Sequence, residues 1–431
     1  MRIKAAFAAL TLACMAVPAL GMPPDSAALW REDLRFMARE MERLHKNLFH
    51  TVSRERFAAM VQALDARMPE LERHEAIVEL ARIVAAVGDG HTNIYPTRDP
   101  KIGFLTLPVE FRFFGEDLYV RTAHASQSTL MGARVLRIGD QDVAAAYATV
   151  KAMIGRDNEQ GARYWAPYLL AMPEVLHALR ISRAADSVPL TVETSGRQQT
   201  VVVRPLGPVP IMSGDIATLY NRRDGWTDAR DFAVRADPSW LRTTSNIFHW
   251  EHDGNLLYVQ INTIGDKSRE TLAQFARRLH DEIAATKPAK VAIDLRLNRG
   301  GDATLLPPLV RALVQSQTID RKGRLFAIIG PATFSAAQMF ADALEKYTNV
   351  TFVGEPSGSK GNTYGDSRRI TLPHSGITVR ASIYYWQEWH PMDTHEAIIP
   401  EIAAPLTFEA YRDNIDPALD AIKRQAVSPL P

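Results

Sequence analysis

Short apolar runs alternate with amphipathic stretches from about residue 255 onward, and this alternation constrains the possible fold more than any other feature. Four apolar runs have the length of buried strands, at residues 256–261, 291–296, 325–329 and 350–353. The stretches between them carry apolar residues at helical spacing, near 268–286, 303–315 and 336–344. Strand–helix alternation predicts a parallel or mixed sheet covered by helices, with ligands bound at the carboxyl ends of the strands.

Ser335 lies at one of these strand ends, between the run at 325–329 and the helical stripe that begins at Ala336. A helix N-terminus offers free backbone N–H groups, which stabilise the negative charge that develops when a serine attacks a carbonyl. Ser335 is therefore a candidate nucleophile, and the alternative is that it only caps the helix. Gly300 and Gly301 follow another strand, where paired glycines allow either a close backbone approach to a ligand or a tight turn.

The N-terminal part of the chain predicts a small helical bundle, which we place at residues 22–92. Its first apolar stripe follows a 4-3-4-3-4 spacing through Trp30, Leu34, Met37, Met41, Leu44 and Leu48. A Gly-Asp-Gly-His-Thr segment at 88–92 ends the bundle. Its histidine, His91, is a candidate general base because histidine titrates near neutral pH, and the alternative is a surface or capping residue.

Residues 93–210 predict mainly strands, interrupted by a more helical insert near 158–182 that is rich in aromatic residues. Prolines at positions 205, 208 and 210 mark a linker, so a third unit is placed at 211–431. The region 207–250, with Trp226, Trp240 and Trp250, matches no recognisable motif.

The first 21 residues are predicted to be a secretory signal peptide rather than part of the fold. A short basic region precedes an apolar run from Ala5 to Leu20, which is too short to cross a membrane comfortably. The alternative is a lipoprotein signal in which Cys14, the single cysteine, carries the lipid. We therefore expect a periplasmic or secreted protein with no transmembrane segment after signal removal.

The charge balance argues against nucleic acid or an anionic membrane as the main partner, because 50 basic and 49 acidic residues give a formal net charge of +1. There is no H-E-x-x-H motif and there are no paired cysteines. His390 and His395 are expected to be surface residues rather than metal ligands, because a third ligand is missing. No metal and no other cofactor is predicted.

Six motifs follow one another along the chain: Asp89-Gly90-His91-Thr92, Gly139-Asp140 in a strand region, Asp294 through Gly301, Thr333 through Ala337, Gly354 through Gly361, and the tail at 399–402 and 416–419. In this order they resemble the S41 serine peptidases, which include the carboxy-terminal processing proteases, the tricorn core protease and the repeats of interphotoreceptor retinoid-binding protein. The resemblance covers nearly the whole chain after the signal. It implies a mixed α/β fold with an N-terminal helical bundle at 22–92, a PDZ-like module with a helical insert at 93–210, and a ClpP/crotonase-like catalytic core at 211–431.

The resemblance also implies roles for single residues. Ser335 would attack a peptide carbonyl, and N–H groups of Ala336 and of Gly300 or Gly301 would form the oxyanion hole. Two residues compete for the role of base. Lys360 stands 25 positions after the serine, as in the processing proteases, although Tyr364 replaces the glutamine that orients the lysine there. In the tricorn-type alternative the base is His91, oriented by Asp393 or Glu396, and a site without a competent base is the remaining possibility.

The resulting expectation is a serine endopeptidase that cleaves unfolded or extended polypeptides. A non-catalytic protein that binds peptides or apolar ligands on the same fold is the alternative, since fold alone does not decide activity. The sequence leaves the oligomeric state open.

Overall fold

The computed structural model describes residues 24–210, 220–243 and 247–427. The predicted signal peptide and Cys14 lie outside the described residues. No helix in the described part of the chain is long and apolar enough to cross a membrane. The α-helices are α1 (Pro24–Leu44), α2 (Arg54–Arg67), α3 (Arg73–Ala85), α4 (Val143–Val150), α5 (Glu159–Leu169), α6 (Pro173–Ala178), α7 (Ser239–Arg242), α8 (Leu272–Thr286), α9 (Leu306–Gln315), α10 (Ala336–Tyr347), α11 (Phe408–Arg412) and α12 (Pro417–Arg424).

Strands occur in four sheets of the described residues. They are β1 (Leu105–Thr106), β2 (Val109–Phe114), β3 (Asp117–His124), β4 (Arg134–Ile138), β5 (Gln141–Asp142), β6 (Val188–Thr194), β7 (Arg197–Val203), β8 (Gly207–Pro208), β9 (Trp226–Asp228), β10 (Phe248–Asp253), β11 (Leu256–Ile261), β12 (Lys290–Asp294), β13 (Leu325–Ile329), β14 (Thr351–Gly354), β15 (Asn362–Thr371), β16 (Thr378–Gln387) and β17 (Ile402–Ala403).

The central sheet has the strand order β10-β11-β12-β13-β14-β17, antiparallel between β10 and β11 and parallel thereafter. Every residue of β11, β12, β13 and β14 is buried, as expected for strands covered on both faces. Helices α8, α9 and α10 connect the parallel strands. The predicted mixed α/β fold with a helix-covered sheet is therefore confirmed.

A second, antiparallel sheet has the order β2-β3-β4-β6-β7, with β5 beside β4 and β9 beside β3. Helices α5 and α6 occupy the chain between β5 and β6, where the sequence predicts a helical insert. Strand β9 reaches this sheet from beyond the proline-rich linker.

The N-terminal helices pack into the same apolar cluster as the antiparallel sheet and the β15–β16 hairpin. Leu34, Met37 and Met41 of the first predicted stripe are fully buried there. Ile370, Val379 and other hairpin residues belong to this cluster as well. The hairpin follows Lys360 in the chain, so it joins the late part of the sequence to the part that ends at His91.

Arg296 ties the central sheet to the C-terminal helix α12. Its guanidinium donates two hydrogen bonds to Asp416, at 3.0 and 2.9 Å, and also contacts Asp294 at the end of β12. Both aspartates are at least 95% buried. Burial works to lower the pKa of Arg296, but the adjacent carboxylates of Asp294 and Asp416 raise it far above its usual value.

Arg296→Met should lower the free energy of unfolding by about 3–5 kcal/mol, because two buried carboxylates lose their cation. Urea unfolding followed by tryptophan fluorescence measures the loss. Arg183→Met is the matched control, since the Arg183–Asp140 pair is mostly exposed, and it should leave the unfolding midpoint unchanged. Equal midpoints for the two variants would contradict this role of Arg296.

Candidate active site

Ser335 occupies a strained turn between β13 and α10. Its backbone has φ 56° and ψ −128° at the N-cap of α10, and its side chain makes no capping hydrogen bond. Positive φ is uncommon for a residue with a side chain and persists only when the surroundings hold it. Thr333 supplies part of that support, since its Oγ1 donates to the Leu295 carbonyl at 3.0 Å and its own carbonyl accepts from Gly358 at 2.9 Å. The turn leaves the Ser335 hydroxyl free for another partner.

That partner is His91, whose Nε2 lies 3.0 Å from Ser335 Oγ. The loop that carries His91 is fixed by Asp89, whose Oδ1 accepts from the backbone N–H of His91 at 3.0 Å and of Thr92 at 2.8 Å. The Phe334 ring stacks on the imidazole with ring centroids 4.5 Å apart. The structure therefore brings two of the predicted site residues into direct contact.

Asp157 is a second buried carboxylate behind the histidine, and no local motif in the sequence points to it. Its Oδ1 accepts from the Gly90 N–H at 2.7 Å, and its Oδ2 accepts from Ser359 Oγ at 2.6 Å and Thr363 Oγ1 at 3.0 Å. Asp157 thus holds the His91 loop against the segment that leads into β15.

Burial lowers the pKa of His91 below its ordinary value, and the charge of Arg299 acts in the same direction. The carboxylates of Asp157 and Asp89 and the Tyr364 backbone act in the opposite direction without reversing the shift. His91 Nδ1 is enclosed and makes no hydrogen bond of ordinary geometry to a described residue. A neutral ring whose Nε2 accepts from Ser335 carries its proton on this Nδ1.

Lys360, Glu396 and Asp393 have other partners. Lys360 Nζ donates to Glu396 Oε1 at 2.8 Å, and Asp393 Oδ1 lies 2.5 Å from His395 Nδ1. Across the described ranges, none of these three side chains forms a hydrogen bond or ion pair with Ser335 or His91.

Tyr364 lies on the other side of the His91 loop. Its hydroxyl accepts from Asn47 Nδ2 at 3.3 Å, and its ring lies over His50 with centroids 4.3 Å apart. Its side chain therefore belongs to a separate cluster, while its backbone faces His91.

The candidate oxyanion donors surround the Ser335 turn. The Gly300 N–H is engaged by Asn298 Oδ1 at 2.8 Å. The N–H groups of Gly301 and Ala336 have no hydrogen-bond acceptor in the parts of the chain that the structure describes. A Cβ added to Gly300 would lie 2.6 Å from Ser335 Cβ and 2.9 Å from the Ala336 nitrogen. Among the predicted donors, the N–H groups of Ala336 and Gly301 are thus the ones that no described residue engages, and a side chain at position 300 would collide with the Ser335 turn.

His45, His50 and Asp89 form a group of potential metal ligands whose donor atoms lie within 4.8 Å of one another. His45 Nδ1 accepts from the Asn47 N–H at 3.0 Å, so Nε2 carries the proton that it donates to Asp89 at 2.9 Å. That arrangement occupies the nitrogen that a metal would need. Burial works to raise the pKa of Asp89, but the hydrogen bonds from His45 and Ser382, together with the His50 imidazole 3.9 Å away, hold it far below its usual value.

Comparison with known proteins gives a family match and similar solved structures. Residues 310–404, which include Ser335 and Lys360, match the model of peptidase family S41. The structure of mature CPAF complexed with lactacystin is similar, with 12% identity, a TM-score of 0.60, and coverage of 92% of this chain and 97% of that chain. A CPAF mutant gives 12% identity, a TM-score of 0.62, and coverage of 94% and 99%. No curated protein sequence matches the chain.

At such identity the likeness to CPAF shows the fold alone. The family match spans β13, the nucleophile turn, α10, β14, the β15–β16 hairpin and β17, and it confirms the resemblance to the S41 peptidases. A peptidase function in general follows from the same match.

Gly300→Ala should slow the labelling of Ser335 by a fluorophosphonate probe about 100-fold, because the new methyl group displaces the nucleophile. Gly254→Ala is the matched control. Gly254 also has positive φ, +60°, but nothing lies within 4 Å of the added Cβ. Similar labelling rates in the two variants would rule out close approach at Gly300.

The rate of Ser335 labelling should rise with pH along one limb whose midpoint lies below the ordinary histidine value of about 6.5. The physical reason is that burial lowers the pKa of His91, so the neutral ring that accepts a proton persists to lower pH. His91→Ala should remove this limb. A limb found only at alkaline pH would instead indicate another base.

Proposed function

We propose that the protein is a serine endopeptidase in which Ser335 is the nucleophile and His91 is the general base. The observation that carries the proposal is the 3.0 Å contact between His91 Nε2 and Ser335 Oγ. The distance is that of a base positioned to take the hydroxyl proton. Ser335 has no competing capping role.

The reaction follows from this geometry. As Ser335 Oγ bonds to the carbonyl carbon, its proton passes to His91 Nε2, and the carbonyl oxygen becomes an oxyanion. The imidazolium then protonates the leaving amine as the peptide bond breaks, which leaves an acyl-enzyme. A water molecule that gives its proton to His91 attacks the ester, and the released serine recovers its proton from the ring.

The oxyanion would be stabilised by the N–H groups of Ala336 and Gly301. Ala336 is the first residue of α10, so its N–H is one of the free N–H groups at the start of this helix, directly after Ser335. Loss of one such donor typically costs about 2.7–4 kcal/mol of transition-state stabilisation.

Lys360 ranks behind His91 as the base because its ammonium is paired with Glu396, and that carboxylate is 67% exposed.

One observation favours the alternative of a binding protein: no carboxylate in the described ranges forms a hydrogen bond with His91 Nδ1, whereas a catalytic triad has one there. The peptide backbone at Tyr364 takes the place beside the ring that a carboxylate has in a triad.

The substrates we propose are unfolded or extended polypeptides. The predicted signal peptide supports a periplasmic or secreted location, and the antiparallel sheet with α4 at its edge supports a PDZ-like module in the region 93–210.

Ser335→Ala should reduce cleavage of reduced casein to background, a loss of about 10⁶-fold on the scale of serine protease nucleophiles. His91→Ala should reduce kcat by about 10²–10⁴-fold, because the proton acceptor is lost. Cleavage by the purified mature chain is followed by gel electrophoresis and mass spectrometry.

Lys360→Ala is the matched control for the base and should retain most of the activity. Strong loss in Lys360→Ala with little loss in His91→Ala would reverse the assignment of the base. Absence of cleavage and of Ser335 labelling in the unaltered chain would favour the binding protein.

A further inference from the structure

Arg299 is a partly buried cation, one residue before Gly300. Its Nε and Nη1 atoms are enclosed and make no hydrogen bond to any described residue. No carboxylate in the described ranges forms an ion pair with it. Enclosed guanidinium groups are normally paired, because the loss of hydration is costly unless hydrogen bonds replace it.

Aromatic side chains enclose this guanidinium. Its Cζ lies 4.7 Å from the ring centroid of Tyr164, 4.8 Å from that of Trp165 and 4.5 Å from that of Phe334. Tyr164 and Trp165 belong to α5, in the helical insert of the antiparallel sheet. Aromatic faces attract a cation but leave the in-plane N–H donors unsatisfied. The insert thus holds the guanidinium in place without consuming its hydrogen bonds.

A second arginine, Arg98, also lies beside the Trp165 ring. Arg98 Cζ is 5.6 Å from the Trp165 centroid and 5.0 Å from the Tyr95 centroid, and Arg98 Nε is enclosed without a hydrogen-bond partner among the described residues. Burial lowers the pKa of Arg299, the nearby tyrosines oppose this, and the charge of Arg98 lowers it further. Two cations held close together without a carboxylate form a site that an anion would stabilise.

Arg299 is the member of this pair that lies near the reacting groups. Phe334, which contacts Arg299, precedes Ser335 and stacks on His91. Tyr164, one of the rings around Arg299, also lines a neighbouring cavity of about 200 Å³ that reaches Ile329 at the end of β13, although the two arginines and Ser335 are not among its lining residues. Arg299 also precedes Gly300, which closely approaches Ser335. A ligand bound to Arg299 would therefore lie near the nucleophile turn.

We propose that Arg299, assisted by Arg98, binds a carboxylate of the polypeptide substrate close to the scissile bond. The carboxylate comes from an aspartate or glutamate side chain or from the chain terminus, and both offer the two oxygens that a guanidinium recognises. The inference rests on the proposed peptidase function and names the substrate class of the same site.

A structural role for Arg299 makes a different prediction. If the cation stabilised the fold, Arg299→Met would lower the melting temperature. Because no described carboxylate pairs with the cation, methionine among the same aromatic rings should leave the melting temperature equal or raise it. Loss of binding without loss of stability distinguishes a ligand-binding residue from a structural one.

The test measures binding by fluorescence anisotropy in the full mature chain carrying Ser335→Ala, so that no turnover occurs. Three rhodamine-labelled hexapeptides of one sequence are compared: central glutamate with an amidated end, central glutamine with an amidated end, and central glutamine with a free carboxylate end. We expect one of the two carboxylate-bearing peptides to bind about tenfold more tightly than the neutral peptide. The peptide that does so identifies the source of the carboxylate.

Adding Arg299→Met should abolish the tenfold preference, and Arg299→Lys should restore part of it, because lysine keeps the charge but not the paired donors. Arg183→Met is the control, because Arg183 belongs to the exposed Arg183–Asp140 pair and is distant in sequence from Arg98 and Arg299. This variant should keep the preference. Equal or undetectable binding of all three peptides, a preference that survives Arg299→Met, or a lowered melting temperature in Arg299→Met would overturn the inference.

The result is separable from that of the peptidase assay. Binding to the Ser335→Ala protein needs no catalysis, so an inert Ser335 in the casein assay would contradict the peptidase and leave the carboxylate test intact. Equal peptide binding by a chain that cleaves casein would contradict only the carboxylate site.

Discussion

The contact between His91 Nε2 and Ser335 Oγ joins two parts of the chain that are 244 positions apart, and the site depends on keeping them in register. Neither residue is placed by the contact itself. Asp89 and Asp157 fix the histidine loop through backbone N–H groups, and Thr333 fixes the serine turn. The hydrogen bond can therefore serve chemistry, because the surrounding structure and not the pair supplies the geometry.

The hairpin β15–β16 explains how these two parts meet. It leaves the central sheet after the segment 354–361, and its apolar face packs with the N-terminal helices. Ser382 on the hairpin donates to Asp89 at 2.8 Å, so the element that follows the nucleophile helix also holds the histidine loop. A network of buried polar groups of this kind specifies one arrangement when its members are satisfied.

The charged groups around the site are distributed unevenly. Buried carboxylates lie behind the histidine, whereas the Arg299 guanidinium, which forms no ion pair with a described carboxylate, lies against Phe334. The Asp294–Arg296–Asp416 network is fully paired and belongs to the fold. Arg299, three residues later, is partly buried, and its Nε and Nη1 atoms have no hydrogen-bond partner among the described residues. The motif at 294–301 thus contains two arginines in different environments. Arg296 is paired with buried carboxylates, whereas Arg299 has no such partner among the described residues and is the one that we expect to bind a ligand.

The sequence by itself determined the helix-covered sheet, because apolar runs of strand length and helical stripes depend on local spacing. It also indicated the turn at Ser335 and the glycines at 300 and 301, since strand ends and paired glycines are local features. It left Lys360 and His91 as competing bases. Only the tertiary structure decided which of them lies beside Ser335, and only it revealed Asp157 and the aromatic enclosure of Arg299. These depend on contacts between residues far apart in the chain, which arise from packing of the hairpin and the insert and leave no periodic trace in the sequence.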